Sequence, residues 1–260
     1  MIPQQEVPAF VRLELAPRAT DYCILIPVIN EGARIQAQLR GMAAAALGAD
    51  IIVVDGGSTD GSLGESFLHE NGVRALLTKT GPGKLSSQLR VGFFYALEQG
   101  YQGVVTIDGN GKDDFSAIPA FIAEMEKGVG HVQGSRYAPG GRGVNTPRDR
   151  ELALKLLHAP LISLAAGVRY TDTTNGFRGY SREFLEDQRV QVFRDLFDTY
   201  NLHYYLAVRA PRLGYRVSEV GVVRAYPDNG HVPSKIRGVR GKLHILKQLF
   251  LTVAGAYNPK

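Results

Sequence analysis

The feature that most narrows the fold is an alternation in the first half of the chain. Short, continuously apolar runs take turns with stretches whose apolar residues fall three and four apart. CILIPV (Cys23–Val28) and the IIVV centre of DIIVVD (Asp50–Asp55) have the pattern of strands buried on both faces. Between them Ile35, Leu39, Met42, Ala43 and Ala46 recur at helical spacing. VRALLT (Val73–Thr78), GVVTID (Gly103–Asp108) and VGHVQG (Val129–Gly134) extend the strand series, while Lys84–Gln99 and Ala117–Lys127 carry helical stripes. A β-α-β-α-β order dictates an α/β fold with a mainly parallel sheet and helices on both faces.

Ligands of such sheets bind beyond the carboxyl ends of the strands. Those ends hold Pro27, Asn30 and Glu31, then Asp55 before Gly56-Gly57-Ser58, then Asp108-Gly109-Asn110. Each cluster has a plain reading as a polar turn, with Ser58 or Thr59 capping a helix and Asp108-x-Asn110 forming an Asx turn. Their convergence on one edge favours a binding site. Asp108 and Asn110 are oxygen donors suited to Mg²⁺ or Mn²⁺. Gly81-Pro82-Gly83-Lys84 opens a helix, where phosphate is favoured. The Walker spacing is absent and no strand leads into G-x-G-x-x-G, so NAD-type dinucleotide binding is disfavoured.

The second half is less regular. YAPGGRGVNTPRDR (Tyr137–Arg150) is long enough to be a functional loop. A helix from about Glu151 to Ala166 follows, then TDTTNGFRGYS, a helix through Tyr204–Leu213 and a strand near Arg216–Val223. Arg136, Arg142, Arg148, Arg150 and Arg178 lie in or beside glycine-rich loops, and their guanidinium forks suit phosphates or a solvated face. His158 and His203 fall in helical patterns and read as packing residues. A net charge of +5 and a pI near 9.3 point to an anionic partner: nucleic acid, a phosphorylated ligand or a lipid surface. The one cysteine, Cys23, sits in an apolar run, so a reducing cytosol is the expected compartment. MIPQQEVPAF lacks signal-peptide features, and no apolar run approaches the roughly 20 residues that span a bilayer.

In order, PVINEG, VVDGGSTDGS, GPGK, TIDGN, QGSRY, TDTTNGFRGYS and VPSK resemble the inverting family 2 glycosyltransferases of the GT-A fold. The branch they are most similar to is that of dolichyl-phosphate mannose synthase and other polyprenyl-phosphate glycosyltransferases. The resemblance runs from about Asp21 to Lys235. It implies a nucleotide-sugar donor, a divalent metal, a polyprenyl-phosphate acceptor and no nucleic acid partner. Pro27, Asn30, Glu31 and Asp55 would meet the nucleoside, and Lys84 the donor phosphates. Asp108 and Asn110 would hold the metal. Arg136, Asn175, Arg178, Arg224 and Lys235 would face the acceptor phosphate or the donor diphosphate. Asp108, Arg136, Arg178 and Asp172 are the catalytic candidates.

Four positions depart from the family pattern. Gly56 stands where many relatives have an aspartate that reads the base, Asn110 replaces a second carboxylate, Lys112 replaces a glutamine, and Tyr205 falls where a helical glutamate is frequent. Lys112 would add charge against the diphosphate, and Asp113 or Asp114 would restore a carboxylate. An acceptor phosphate needs no general base, whereas a hydroxyl acceptor would need one, with Asp172 or Asp198 as candidates. A hydroxyl-directed transferase and a non-catalytic nucleotide-sugar binding module are the alternatives.

The expected organisation is an N-terminal extension (1–20), a transferase domain (21–228) and a basic C-terminal segment (229–260). In that last segment Ile236, Val239, Leu243, Leu246, Leu249 or Phe250, and Val253 form one stripe, beside Lys235, Arg237, Arg240, Lys242 and Lys247. It reads either as an amphipathic helix lying on an anionic membrane at its cytoplasmic face, or as a helix packed on the enzyme's own core.

Overall fold

The computed structural model describes residues 6–227 and 238–259. Ten strands are formed among them: β1 (Phe10–Glu14), β2 (Tyr22–Val28), β3 (Asp50–Asp55), β4 (Val73–Lys79), β5 (Gly103–Thr106), β6 (Val129–Ser135), β7 (Arg142–Val144), β8 (Arg178–Ser181), β9 (Arg216–Gly221) and β10 (Val223–Ala225). The helices are α1 (Ala33–Ala43), α2 (Glu65–Glu70), α3 (Leu85–Glu98), α4 (Ile118–Glu126), α5 (Arg148–Ala153), α6 (Ala159–Ala166), α7 (Arg182–Glu186), α8 (Asn201–Arg212) and α9 (Gly238–Val253). A π turn, Leu154–His158, runs α5 into α6.

The main sheet has the order β1-β4-β3-β2-β5-β8-β6-β9. Its centre is parallel, as the alternation predicts, with β2 pairing β3 and β5 in parallel. Successive strand residues point to opposite faces. Cys23 and Leu25, with Ile52 and Val54, therefore meet Leu89 and Phe93 of α3 on one side. Ile24 and Ile26, with Ile51 and Val53, meet α1 and α4 on the other. A third cluster joins Ile162, Ala166, Tyr204, Ala207 and Leu249 of α6, α8 and α9.

Three features differ from the sequence expectation. β1, inside the supposed N-terminal extension, is the antiparallel edge partner of β4. β8, inside TDTTNGFRGYS, inserts antiparallel between β5 and β6, so the sheet is mixed. β5 stops at Thr106, two residues earlier than GVVTID suggests, which leaves Asp108 beyond the strand. Cys23 is fully buried, and burial pushes its thiol up. Among the described residues no helix is long and apolar enough to cross a membrane.

Candidate active site

The carboxyl ends of β2 and β3 are laced together. Asn30 has a positive φ of 49°, which asparagine tolerates better than most residues. Its N–H donates to Ser58 Oγ (3.0 Å), and its Oδ1 accepts from Thr59 N–H (2.8 Å). Asp55 accepts from the N–H (2.9 Å) and the hydroxyl (2.7 Å) of Ser58. Its buried carboxylate thus closes the turn that the glycines open. Glu31 pairs with Arg34 at 2.6 Å, and Pro27 is half-buried on β2. Lys84 is exposed at the start of α3. The helix start itself is occupied, since Lys84 N–H and Ser86 N–H donate to the carbonyls of Asp198 and Thr199. Lys84 can offer an anion its ammonium rather than an open row of N–H groups.

A second wall comes from distant parts of the chain. β10 pairs with β7, and the loop after β5 joins them through Asp114 N–H to Val223 O (3.0 Å) and Ala225 N–H to Lys112 O (2.8 Å). Arg224 is thereby held over Asp108. Its Nη2 donates to Asp108 Oδ2 (3.0 Å), and its Nη1 bonds Asp113 Oδ2 and Asn175 Oδ1. Asp113 is buried beneath the guanidinium. Gly176 leaves room for the Asp108 carboxylate, since a Cβ there would lie 2.8 Å from Oδ1 and push it aside. Tyr226 continues β10, with Lys112 Nζ 5.3 Å, Arg150 5.8 Å and Arg224 6.0 Å from its ring centre. Burial opposes ionisation of the Tyr226 phenol, yet Arg224 and Arg136 draw its pKa below the ordinary value. Burial, and then Arg224, lower the pKa of Lys112. The result is a crowded cluster of cations around Tyr226 at the end of β5.

Among the described residues no three His, Cys, Asp or Glu side chains gather into a metal cage. Asp108 and Asn110 are two oxygen-bearing side chains near the open end of a strand, with Asn110 Nδ2 donating to Asp108 Oδ2 at 3.2 Å. Such a partial set fits Mg²⁺ or Mn²⁺ brought in with a diphosphate, since these ions accept phosphate oxygens and water as their other ligands. Asp113 adds no open ligand because Arg224 covers it, and Asp114 caps the next turn by accepting from Ser116 N–H.

Arg136 lies at the end of β6 and forms a two-point pair with Asp172, Nε to Oδ2 at 2.7 Å and Nη2 to Oδ1 at 3.0 Å. Burial disfavours the Asp172 charge, but Arg136 overrides it and holds the carboxyl below its ordinary range. Glu219 of β9 fixes this loop through the N–H groups of Thr171 (2.8 Å) and Asp172 (3.2 Å). Two catalytic expectations are corrected here. Asp172 is fully buried and positions Arg136, so it is not a base open to an acceptor. Arg178 does not face phosphate. It is 1% exposed, and its three nitrogens donate to the carbonyls of Asn175 (2.9 Å), His203 (2.6 Å) and Thr173 (2.8 Å). Asn175 is buried as well and holds Arg224. Tyr205 packs in the core with its hydroxyl on Val190 O, 2.6 Å away. Lys235 lies outside the described residues. Tyr226, Arg150's approach to it and Glu219 had no signal in the sequence, because each acts through a fold contact.

Comparison with known proteins decides the family. The description glycosyl transferase family 2 matches residues 23–189, well over half of the chain. The chain belongs to this family. Its transferase signature therefore spans β2 through α7, while Arg224 lies beyond the matched stretch. An undecaprenyl-phosphate mannosyltransferase of Micrococcus luteus is 28% identical over 76% of this chain and 81% of its own length. A polyprenol monophosphomannose synthase of Mycolicibacterium smegmatis is 30% identical over 63% of this chain and 62% of its own length. The fold is similar to that of glucosyl-3-phosphoglycerate synthase from Mycobacterium tuberculosis, solved with Mn²⁺, UDP and glucosyl-3-phosphoglycerate. The TM-score is 0.60 at 19% identity, over 94% of this chain and 81% of that one. This family 2 chain is thus a GT-A-type glycosyltransferase.

Proposed function

We propose that this enzyme transfers a sugar from a nucleotide-diphosphate donor to the phosphate of a polyprenyl phosphate, with inversion. One observation carries the choice of acceptor: Asp108, Asp113 and Asp172, the carboxylates nearest Arg224 and Arg136, are already engaged, which leaves the exposed Asp198, beside Lys84, as the other candidate base. Asp108 and Asp113 meet Arg224, and Asp172 meets Arg136. A hydroxyl acceptor needs a base to take its proton. A phosphate monoester has a second pKa of about 6 and is largely dianionic at neutral pH, so it needs none. The names of the Micrococcus and Mycolicibacterium relatives support the same acceptor class.

In this mechanism an acceptor phosphate oxygen forms the bond to the anomeric carbon. The bond to the donor diphosphate breaks on the opposite face, and its electron pair passes to the diphosphate. Lys112, Arg150 and Arg224 surround the place where that charge grows, so the cluster favours the transition state electrostatically. Arg136, held by Asp172, keeps a fixed orientation toward the same region. A divalent ion bound through Asp108 and Asn110 would neutralise part of the leaving diphosphate. The Mn²⁺ and UDP bound to the Mycobacterium tuberculosis synthase support that expectation. The test is a product assay with uridine and guanosine diphosphate sugars, each with Mg²⁺ or Mn²⁺. The acceptors are a polyprenyl monophosphate, the matching polyprenol and phosphoglyceric acid. Transfer to the polyprenyl monophosphate alone is expected. Transfer to either hydroxyl acceptor at a comparable rate would overturn the reading.

A further inference from the structure

The turn after β5 carries the residues suited to a divalent ion, and it uses two of their three side-chain oxygens itself. Asn110 Oδ1 accepts from the Lys112 N–H at 3.3 Å, and Asn110 Nδ2 donates to Asp108 Oδ2 at 3.2 Å. Arg224 Nη2 donates to that same carboxylate oxygen at 3.0 Å. The Gly111 N–H, at a positive φ of 69°, donates to Gln38 Oε1 at 3.1 Å, so α1 braces the turn as well. An ion arriving here draws on one carboxylate that a guanidinium already shares, and on one amide oxygen that closes its own turn.

Positive charge, by contrast, is built in. Lys112 ends this turn and is buried. Its carbonyl accepts from Ala225 N–H at 2.8 Å, and its neighbour Asp113 bridges to Arg224, so β10 fixes the backbone that carries the ammonium. Lys112 Nζ lies 5.3 Å from the Tyr226 ring centre, and Arg150 and Arg224 approach the same ring. The electron-rich ring lets these like charges gather. Asp108, Arg224 and Arg150 all act on the Lys112 ammonium electrostatically. The carboxylates bonded to this group, among the described residues, are Asp108 and Asp113, both on Arg224. Three cations thus meet two carboxylates. Relative to the family pattern, Asn110 in place of a carboxylate removes one negative charge, and Lys112 in place of a glutamine adds one positive charge. The two changes together equal the charge of a divalent ion, which is otherwise the largest local charge in a phosphate site.

We propose that Lys112 stands in for the divalent ion in donor binding, so that Lys112, Arg224 and Arg150 hold the donor diphosphate without a metal. Asp108 and Asn110 stay available to a metal that comes with the diphosphate or after it, and its charge adds to a site that already binds. The proposal rests on the nucleotide-diphosphate donor of the reading above and is independent of the acceptor.

The experiment is isothermal calorimetry on the full chain with uridine, guanosine, cytidine, adenosine and thymidine diphosphates, each in excess EDTA and in Mn²⁺. Wild type, Lys112→Gln and Lys112→Arg are compared. At least one nucleotide should bind the wild type in EDTA, with a Kd within about fivefold of its value in Mn²⁺. Lys112→Gln should lose about tenfold or more of that affinity in EDTA, the loss expected for one charge-assisted hydrogen bond, and recover most of it in Mn²⁺. A lysine that only supports the turn would weaken binding alike in both conditions. Lys112→Arg keeps the charge and should keep metal-free binding. Melting temperature identifies a variant that does not fold, and the wild-type comparison, which needs no variant, still decides. Wild-type binding that requires Mn²⁺ overturns the proposal and leaves the donor reading standing. Metal-free binding undiminished in Lys112→Gln also overturns it, as does an equal loss in EDTA and in Mn²⁺. Binding of none of the nucleotides in either condition removes the donor reading and the proposal together.

Discussion

At the scale of single residues, the site turns on how one arginine is shared. Arg224 bridges Asp108, which the family pattern gives to the metal, and Asp113, which is buried below it. Asp113 therefore anchors the guanidinium from beneath and limits its hold on Asp108. In Asp113→Asn, Asp108 would be the one carboxylate left to Arg224 beside the Asn175 amide, and Arg224 would compete with the divalent ion for it. Weaker binding of Mn²⁺ with nucleoside diphosphate is expected by calorimetry, together with a stability loss of about 3 kcal/mol for breaking a buried pair. Unchanged Mn²⁺ affinity would show that Arg224 and the metal do not contend for Asp108. Arg178 behaves differently. Its guanidinium satisfies three buried carbonyls, so Arg178→Lys should lower stability by about 2–4 kcal/mol. The variant should keep its KM for donor and acceptor at temperatures where it remains folded. A normal melting temperature with a raised acceptor KM would return Arg178 to the phosphate site.

At the scale of elements, legibility follows burial. β2 and β3 are buried on both faces and write themselves as unbroken apolar runs, so the sequence locates them to within a residue. β8 is just as central, but its four residues are Arg-Gly-Tyr-Ser, and its stability comes from β5 and β6 on either side. No local pattern announces such a strand. The same cause explains Arg178, whose glycine-rich neighbours suggest phosphate while its carbonyl partners come from the loop just before β8 and from α8. The position of Asp108 and Asn110 just past a strand end was legible from the apolar run before them. Tyr226 and Glu219 were not, because β10 and β9 reach the site only after folding. α9 shows the limit of a stripe: Leu249 is fully buried and Phe250, one residue on, is 52% exposed. Periodicity allows either neighbour to face inward, and packing against α6 and α8 decides it. Leu249→Ala should therefore cost about 2–5 kcal/mol, as for other buried leucines. Phe250→Ala should change thermal stability little. Equal, small shifts in denaturant midpoint for the two would mean that α9 is not anchored as described.

For the molecule as a whole, three buried histidines link stability to pH. His131 lies on β6, between β8 and the edge strand β9, stacked on Tyr180 with ring centres 5.1 Å apart and Nδ1 3.2 Å from Gly179 O. Its Nε2 is buried without a hydrogen-bond partner, so a proton added there would find no acceptor. Burial, and then the charge of Arg178, push its pKa down to about 3. The same causes hold His203 well below its ordinary value, and burial lowers His158. Each of these side chains binds its proton more readily in the unfolded chain, near pH 6.5, than in the fold. Their stabilising effect is thus complete above about pH 6.5 and is lost as pH falls from there toward the folded-state values. The slope reaches about 1.4 kcal/mol per pH unit for each histidine that titrates only on unfolding. Melting temperature should be flat from pH 8 to about 6.5 and then fall steeply toward pH 4. In His131→Phe the ring stack on Tyr180 is kept and one titrating group is removed. That variant should show a shallower acid limb than the wild type, whatever its stability at pH 8. An identical limb in the two proteins would mean that His131 is not the neutral imidazole, with Nε2 unpartnered, that its surroundings require.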